Sequence, residues 1–173
     1  MSLLVLMACL PADPPGSETS LVGDSDTGSW VDTGPEDTAD EEGLVGKWLS
    51  EGEDISELFA GPPFEYASIT ARFKDDLSYK VVGSTEGGDS YTFSGTYVTD
   101  TSTSPARITL SQTQPSTSTA EGIFLVEGDK LTYEIVQVDP DYGYTPPTPE
   151  SGFGSTSGPN MTDGINVQVY RRQ

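Results

Sequence analysis

From residue 44 onward, apolar and polar positions alternate with a period of two, the signature of half-buried strands. Leu44 to Ser50 predicts a first strand. Glu53 to Ala60 predicts a short helical stretch, stopped by Gly61-Pro62-Pro63. Tyr66 to Phe73 returns to strand, with Ala67, Ile69, Ala71 and Phe73 on one face. After the turn Lys74-Asp75-Asp76, Leu77 to Gly83 places Leu77, Tyr79 and Val81 in step. Glu86-Gly87-Gly88-Asp89 marks another turn before Tyr91 to Thr99, where Tyr91, Phe93, Gly95 and Tyr97 share a side.

The second half repeats this grammar. Ala106 to Gln112 is a strand, Thr113 to Thr119 reads as a polar loop, and Ala120 to Glu127 contains the apolar run Gly122 to Val126, expected to be covered on both sides. Gly128-Asp129 closes a tight hairpin into Lys130 to Val138. Asp139 to Asp163 is a long Pro/Gly/Ser/Tyr loop, and Ile165 to Arg171 ends the chain with Ile165, Val167 and Val169 on one face. Lacking strong amphipathic helices, the connections do not suit parallel crossovers. The fold class is therefore all-β, an eight-stranded up-and-down antiparallel barrel, which removes the exposed edges of an open sheet; a β-sandwich is the alternative.

The rest of the chain differs in composition. Residues 10–43 hold ten acids (Asp13, Glu18, Asp24, Asp26, Asp32, Glu36, Asp37, Asp40, Glu41 and Glu42) and neither Lys nor Arg. The remainder is mostly Pro, Gly, Ser and Thr, a composition that buries too little apolar surface to offset its ordering entropy. An acidic disordered tether is expected there. Its Asp26-Thr27-Gly28 and Asp32-Thr33-Gly34 match the tripeptide of aspartic proteases, but those enzymes bring such loops together from two hydrophobic lobes. Calcium-loop spacing from Asp24 fails as well, with Ser29 and Pro35 where Gly and Glu are needed.

Before the tether, Leu6-Met7-Ala8-Cys9 follows an apolar run. The quartet resembles the lipobox of bacterial lipoproteins, in which an aliphatic, a variable and a small residue precede the Cys. The resemblance implies that residues 1–9 are a signal peptide and that Cys9 becomes the lipidated N-terminus, its thiol accepting the diacylglycerol. The true start is expected upstream of Met1, because the basic n-region is missing. Leu10 after Cys9 is not the Asp that resembles an inner-membrane retention signal, so the reading is an outer-membrane lipoprotein of the bacterial cell envelope. The alternative for residues 1–9 is a buried strand with a reduced core Cys.

Residues 44–173 carry a second resemblance. Gly46-Lys47-Trp48 at the start of the first strand resembles the Gly-x-Trp that opens lipocalins. Gly95-Thr96-Tyr97, Pro105 to Leu110, Gly122-Ile123-Phe124, Gly128 to Leu131 and the closing Val167 to Arg172 are similar, in that order, to a small bacterial lipocalin-like domain. A calycin-type barrel is implied, with no assigned ligand. In lipocalins a basic residue near the C-terminus lies across that Trp. By parity the resemblance assigns this role to Arg171, as a structural barrel-closing pair with Trp48.

Charge and composition narrow the chemistry. The 28 acids against 8 bases give −20, which excludes nucleic acid as a partner, since phosphate neutralisation needs clustered Lys and Arg. With no His, Ser-His-Asp and Cys-His catalysis are excluded, and a single Cys excludes an internal disulfide. The carboxylate pairs Asp75-Asp76, Asp139 with Asp141, and Glu127 with Asp129 sit at turns, where Asp serves local backbone hydrogen bonds. Asp139, Asp141 and Glu150 as a calcium site is the weaker alternative, so neither an enzyme nor a metal or other cofactor is expected. Tyr79, Phe93, Tyr97 and Tyr133 face inward and are the candidate ligand-binding residues, forming an amphipathic pocket for a small hydrophobic molecule. A solid core serving as a structural or interaction module is the rival reading. The membrane, through the lipid on Cys9, is the expected partner.

Overall fold

The computed structural model describes residues 43–173. The expectations for the signal peptide, Cys9 and the acidic tether lie outside the described residues. Eight antiparallel strands close into an up-and-down barrel in sequence order: β1 (Gly46–Glu51), β2 (Tyr66–Phe73), β3 (Ser78–Thr85), β4 (Ser90–Asp100), β5 (Ala106–Gln114), β6 (Ser118–Glu127), β7 (Lys130–Asp139) and β8 (Gln168–Arg172). This architecture is compatible with a lipocalin-like fold. Alternation of direction puts residue 43, the C-terminus and the connections at 74–77, 101–105 and 128–129 at one end, called here the closed end. The longer connections, 52–65 and 140–167, gather at the other.

Differences from the pattern-based reading have local causes. β5 and β6 run further than expected, leaving only residues 115–117 as their turn, because polar Gln112 and Ser118 still pair across the ladder. Leu77 is not part of β3. It sits in the turn at φ 63°, half exposed, with its N–H donating to the Lys74 carbonyl. The helical stretch divides into a 3-10 turn, Gly52–Asp54, and one α-turn, α1 (Glu57–Ala60), which buries Leu58 and Phe59 under the barrel mouth.

The strand parity leaves Trp48, Ile69, Phe73, Tyr79, Tyr97, Leu110, Phe124, Leu131 and Tyr133 in one inner core. Gly122 makes room for it. A Cβ there would lie 2.0 Å from the Glu134 carbonyl oxygen and 2.7 Å from the Ile135 Cα.

A second, outer layer covers part of the wall. Ile123, Glu134 and Val136 have outward parity yet are fully buried, and Ile123 stands opposite Glu134 in the β6–β7 ladder. The cover comes from the β7–β8 connection, which is tied to the wall by the Glu134 carboxylate. That group accepts the Gly154 N–H at 2.6 Å, the Thr156 N–H at 3.0 Å and the Thr156 hydroxyl at 2.5 Å. A buried carboxylate is costly unless hydrogen-bonded, and three donors satisfy this one. The run Gly122 to Phe124 is thus covered on both faces, as its continuous apolarity indicates.

Gly122→Ala is predicted to destabilise the barrel by about 1–3 kcal/mol or more, because the added methyl meets backbone that cannot yield without moving two strands. Urea denaturation checks this; an unchanged midpoint would mean the β6–β7 spacing is looser than described.

Candidate functional site

The interior holds one notable void among the described residues, in the half of the barrel near the open end, of about 60 Å³. Tyr79, Phe93 and Tyr133 line it, as expected from their parity. Tyr97 does not. Its ring packs edge-on against Phe73 at the closed end, centroids 5.2 Å apart, and its hydroxyl donates to the Lys74 carbonyl at 2.9 Å. Inward parity told which side of the sheet Tyr97 faces, but its position along the barrel axis put it beyond the void.

The pattern missed much of the lining. Tyr66, Gln137, Gln168 and Tyr170 contribute from the walls, Phe59 from α1, and Asn166 from the β7–β8 connection. α1 arrives there because Gln168 holds the segment before it. The Gln168 amide nitrogen donates to the Asp54 carbonyl at 3.2 Å and to the Ser50 hydroxyl, while its oxygen accepts the Ser56 N–H at 2.9 Å. The Leu58 N–H adds a bond to the Ile165 carbonyl at 3.0 Å. Phe59 therefore seats against Phe64 and Tyr66 as an aromatic lid, with centroids 5.5 and 6.2 Å away.

The void is apolar in its walls and polar in its corners. Burial pushes the Tyr66 and Tyr79 phenols up to about 12, with Tyr91 adding to the shift at Tyr66. Burial also raises Tyr170, and it raises Tyr133 well above the ordinary phenol value, reinforced by neighbouring Tyr170 and Tyr79. Asn166 is 3% exposed, and its orientation follows from its partners. The Thr156 hydroxyl gives its proton to Glu134, so it can only accept from the Asn166 amide nitrogen, at 3.1 Å. The other amide proton goes to the Ile135 carbonyl at 3.3 Å, leaving Asn166 Oδ1 as a buried acceptor without a partner. A void of this size and polarity suits a few water molecules.

At the closed end the expected pair is corrected. Arg172, not Arg171, lies over Trp48, its guanidinium carbon 4.2 Å from the ring centroid. Gln168, Tyr170 and Arg172 are the inward residues of β8, because Leu131 pairs with Tyr170 and Trp48 with Arg172. Ile165 and Val167 precede the strand in a turn closed by the Val167 N–H to the Gly164 carbonyl, so their apolarity does not report the strand's parity. Arg171 points outward to Asp54, at 3.0 and 3.1 Å. Arg172 bonds main chain through its terminal nitrogens, Nη1 to the Val45 carbonyl at 3.0 Å and Nη2 to the Gly43 carbonyl at 2.7 Å, while its buried Nε has no hydrogen-bond partner. Trp48 Nε1 donates to the Leu44 carbonyl at 2.8 Å. Gly46, at φ 139°, allows this approach, since a Cβ there would lie 2.8 Å from Arg172 Nη1.

The carboxylates serve turns. Asp76 accepts the Ser78 N–H at 2.9 Å and hydroxyl at 2.5 Å, and these bonds hold its carboxyl below the usual value. Asp141 caps the Gly143 N–H at 2.7 Å, and Glu150 pairs with Arg107 at 3.1 Å. Among the described residues, no three acids, His or Cys group to hold a metal ion. No family model, curated protein or solved structure matches the chain.

Arg172→Ala is predicted to cost roughly 2 kcal/mol or more, combining the lost cation–π contact with two charge-assisted bonds to carbonyls. Arg171→Ala, which breaks an exposed pair, should leave the urea midpoint almost unchanged; the reverse ranking would refute the plug. The buried phenols set an alkaline limit. Their folded-state pKa values lie above the ordinary 10.0, so the stability tied to their neutral forms is complete below about pH 10. It is lost as pH rises toward 12 and the unfolded chain ionises first. Tyrosinate absorbance should therefore rise in two stages, exposed phenols near pH 10 and the buried set together with loss of near-ultraviolet dichroism. A single stage near pH 10 with the fold intact would contradict the burial.

Proposed function

We propose that this chain is a lipid-anchored protein of the bacterial outer membrane whose barrel is a non-catalytic interaction module with a filled core. The observation that carries the reading is the size of the interior void. At about 60 Å³, it falls far short of the several hundred that a drug-sized ligand needs. Phe59 and Tyr66 fill the mouth where such a ligand would enter. The void takes water instead, bonded to the phenols and to Asn166 Oδ1. Among the described residues, the turn acids Asp76, Asp141 and Glu150 already have local partners.

The anchor reading rests on Leu6-Met7-Ala8-Cys9. More than one acyl chain would hold the protein stably, since a single chain binds only marginally.

Two measurements test this. The apolar fluorophore 1-N-phenylnaphthylamine, titrated into the purified chain, should show no saturable enhancement. One-to-one saturation, displaced by a fatty acid, would overturn the filled-core reading and restore the hydrophobic-ligand one. A clickable fatty-acid analogue fed to expressing cells should label the wild type and spare Cys9→Ala, and equal labelling would end the anchor reading.

A further inference from the structure

A groove at the open end of the barrel is aromatic in its floor and acidic at its rim. It has a volume of about 590 Å³ and runs between the segment that enters β2 and the β3–β4 turn, lined by Phe64, Glu65, Tyr66, Glu86, Asp89 and Tyr91 among others. The Tyr66 ring, buried and with contacts of its own, lies over Gly83, where a Cβ would come within 2.7 Å of it. Phe64 and Tyr91 flank that ring, with centroids 5.8 and 6.0 Å away. The Phe64 and Glu65 N–H groups both donate to the Gly61 carbonyl at 3.1 Å, and this turn holds Glu65 at φ 49°. Glycine adopts that conformation more readily, so a carboxylate stands there at a backbone cost. On the other strand pair, the Thr85 N–H donates to the Asp89 carbonyl at 3.0 Å and closes the turn that carries Glu86 and Asp89. Glu65, Glu86 and Asp89 are exposed and make no ion pair with a described residue.

We propose that this groove docks a Lys- or Arg-bearing extended segment of a partner protein. The proposal rests on the reading of the barrel as an interaction module, and it gives that module a contact surface and a partner class. Charge complementarity selects the occupant. Connection 52–65 carries four acids, 86–89 two, 115–117 none and 140–167 three, and no base stands in any of them. All 8 Lys and Arg lie on strands or in the closed-end turn 74–77, and only Asp54 and Glu150 of the open-end acids are paired with one. An ammonium or guanidinium seated over the rings would gain a cation–π contact as well as the carboxylates around it. An acidic segment would meet like charge on every side, which is how such a rim excludes wrong partners. Pockets for small ligands enclose most of the ligand surface, whereas this groove is open to solvent. A single small cation would therefore bury one face, while a chain with several can seat one over the rings and set others against the neighbouring open-end acids. The net charge of −20 steers such a partner toward the protein.

The test titrates acetylated octalysine into the isotope-labelled full chain with Cys9→Ala at low salt and reads amide NMR shifts. Among the barrel amides, saturable shifts should be largest at Phe64, Glu65, Gly87 and Tyr91 and small at Val98 and Asp129. The Kd read from them should rise at least about tenfold in about 0.5 M NaCl, where the Debye length is about 4 Å. The variant E65Q/E86Q/D89N should weaken binding at those amides at least about fivefold, and D75N/E127Q/D129N, which removes as many charges at the closed end, less than about twofold. Equal weakening by the two variants would reduce the effect to net charge and overturn the proposal, as would barrel shifts centred elsewhere. Tetramethylammonium saturating the same amides as tightly as octalysine would overturn it too, making the groove a small-cation site. If the groove fails while 1-N-phenylnaphthylamine stays unbound, the docking proposal falls and the filled-core module stands; saturable binding of the dye overturns the module reading itself.

Discussion

A sheet of eight antiparallel strands is stable as a barrel only if its first and last strands meet, and here they meet over a short stretch. β1 and β8 pair only through Trp48 with Arg172 and Leu49 with Arg171. So brief a seam would fray without reinforcement. Arg172 supplies it from inside, lying across the Trp48 ring and bonding to the Gly43 and Val45 carbonyls. One side chain thus joins the C-terminal strand, the opening strand and the residues that enter it. The main chain adds the Gln173 N–H to the Lys47 carbonyl and the Arg172 N–H to the Asp129 carbonyl. Everything further along the barrel depends on this closure, since an open edge at β1 or β8 would expose the inner core to solvent.

The other end of β8 repeats the device with a neutral residue. Gln168 is buried among Ser50, Asp54 and Ser56, and its side-chain bonds reach β1 or the segment that follows it. That segment then delivers Phe59 onto the mouth. A five-residue strand with a polar amide at one end and a cation at the other therefore both shuts the wall and sets the lid. The interior is small because the lid and the tyrosines occupy it. What remains is bounded in part by Asn166 Oδ1, a buried acceptor without a partner, and a void of that size suits a few water molecules.

The β7–β8 connection shows how a long polar segment is held without a core of its own. The Glu134 carboxylate draws in two backbone N–H groups and a hydroxyl; the hydroxyl then orients Asn166, and Asn166 returns to the Ile135 carbonyl. The network lies on the outer wall at one end and reaches the void at the other. Burial of Ile123 and Val136 beneath the segment accompanies it. Removing the carboxylate would leave three donors unsatisfied, so the segment's path is tied to one side chain.

Period-two alternation, turn residues and the absence of amphipathic helices determined by themselves that this chain makes eight antiparallel strands and closes them, and most of the inward positions of β2 to β7; at the start of β2 a bulge between Tyr66 and Ser68 buries Tyr66 and leaves Ala67 exposed, against the alternation. Tyr79, Phe93 and Tyr133 were legible for that reason, as were the turn roles of Asp76 and Asp141, which depend on neighbours two residues away. Only the tertiary structure decided the parity of β8. Its inward residues include Gln and Arg, and the apolar Ile165 and Val167 before it belong to a turn, so hydropathy pointed to the wrong face until pairing with Leu131 and Trp48 fixed it. The place of Tyr97 along the barrel axis, the arrival of Phe59 over the mouth and the size of the void were likewise undetermined. Each depends on shear, on segments far apart in sequence and on the summed volumes of side chains from every strand, and none of these is written in the neighbours of a single residue.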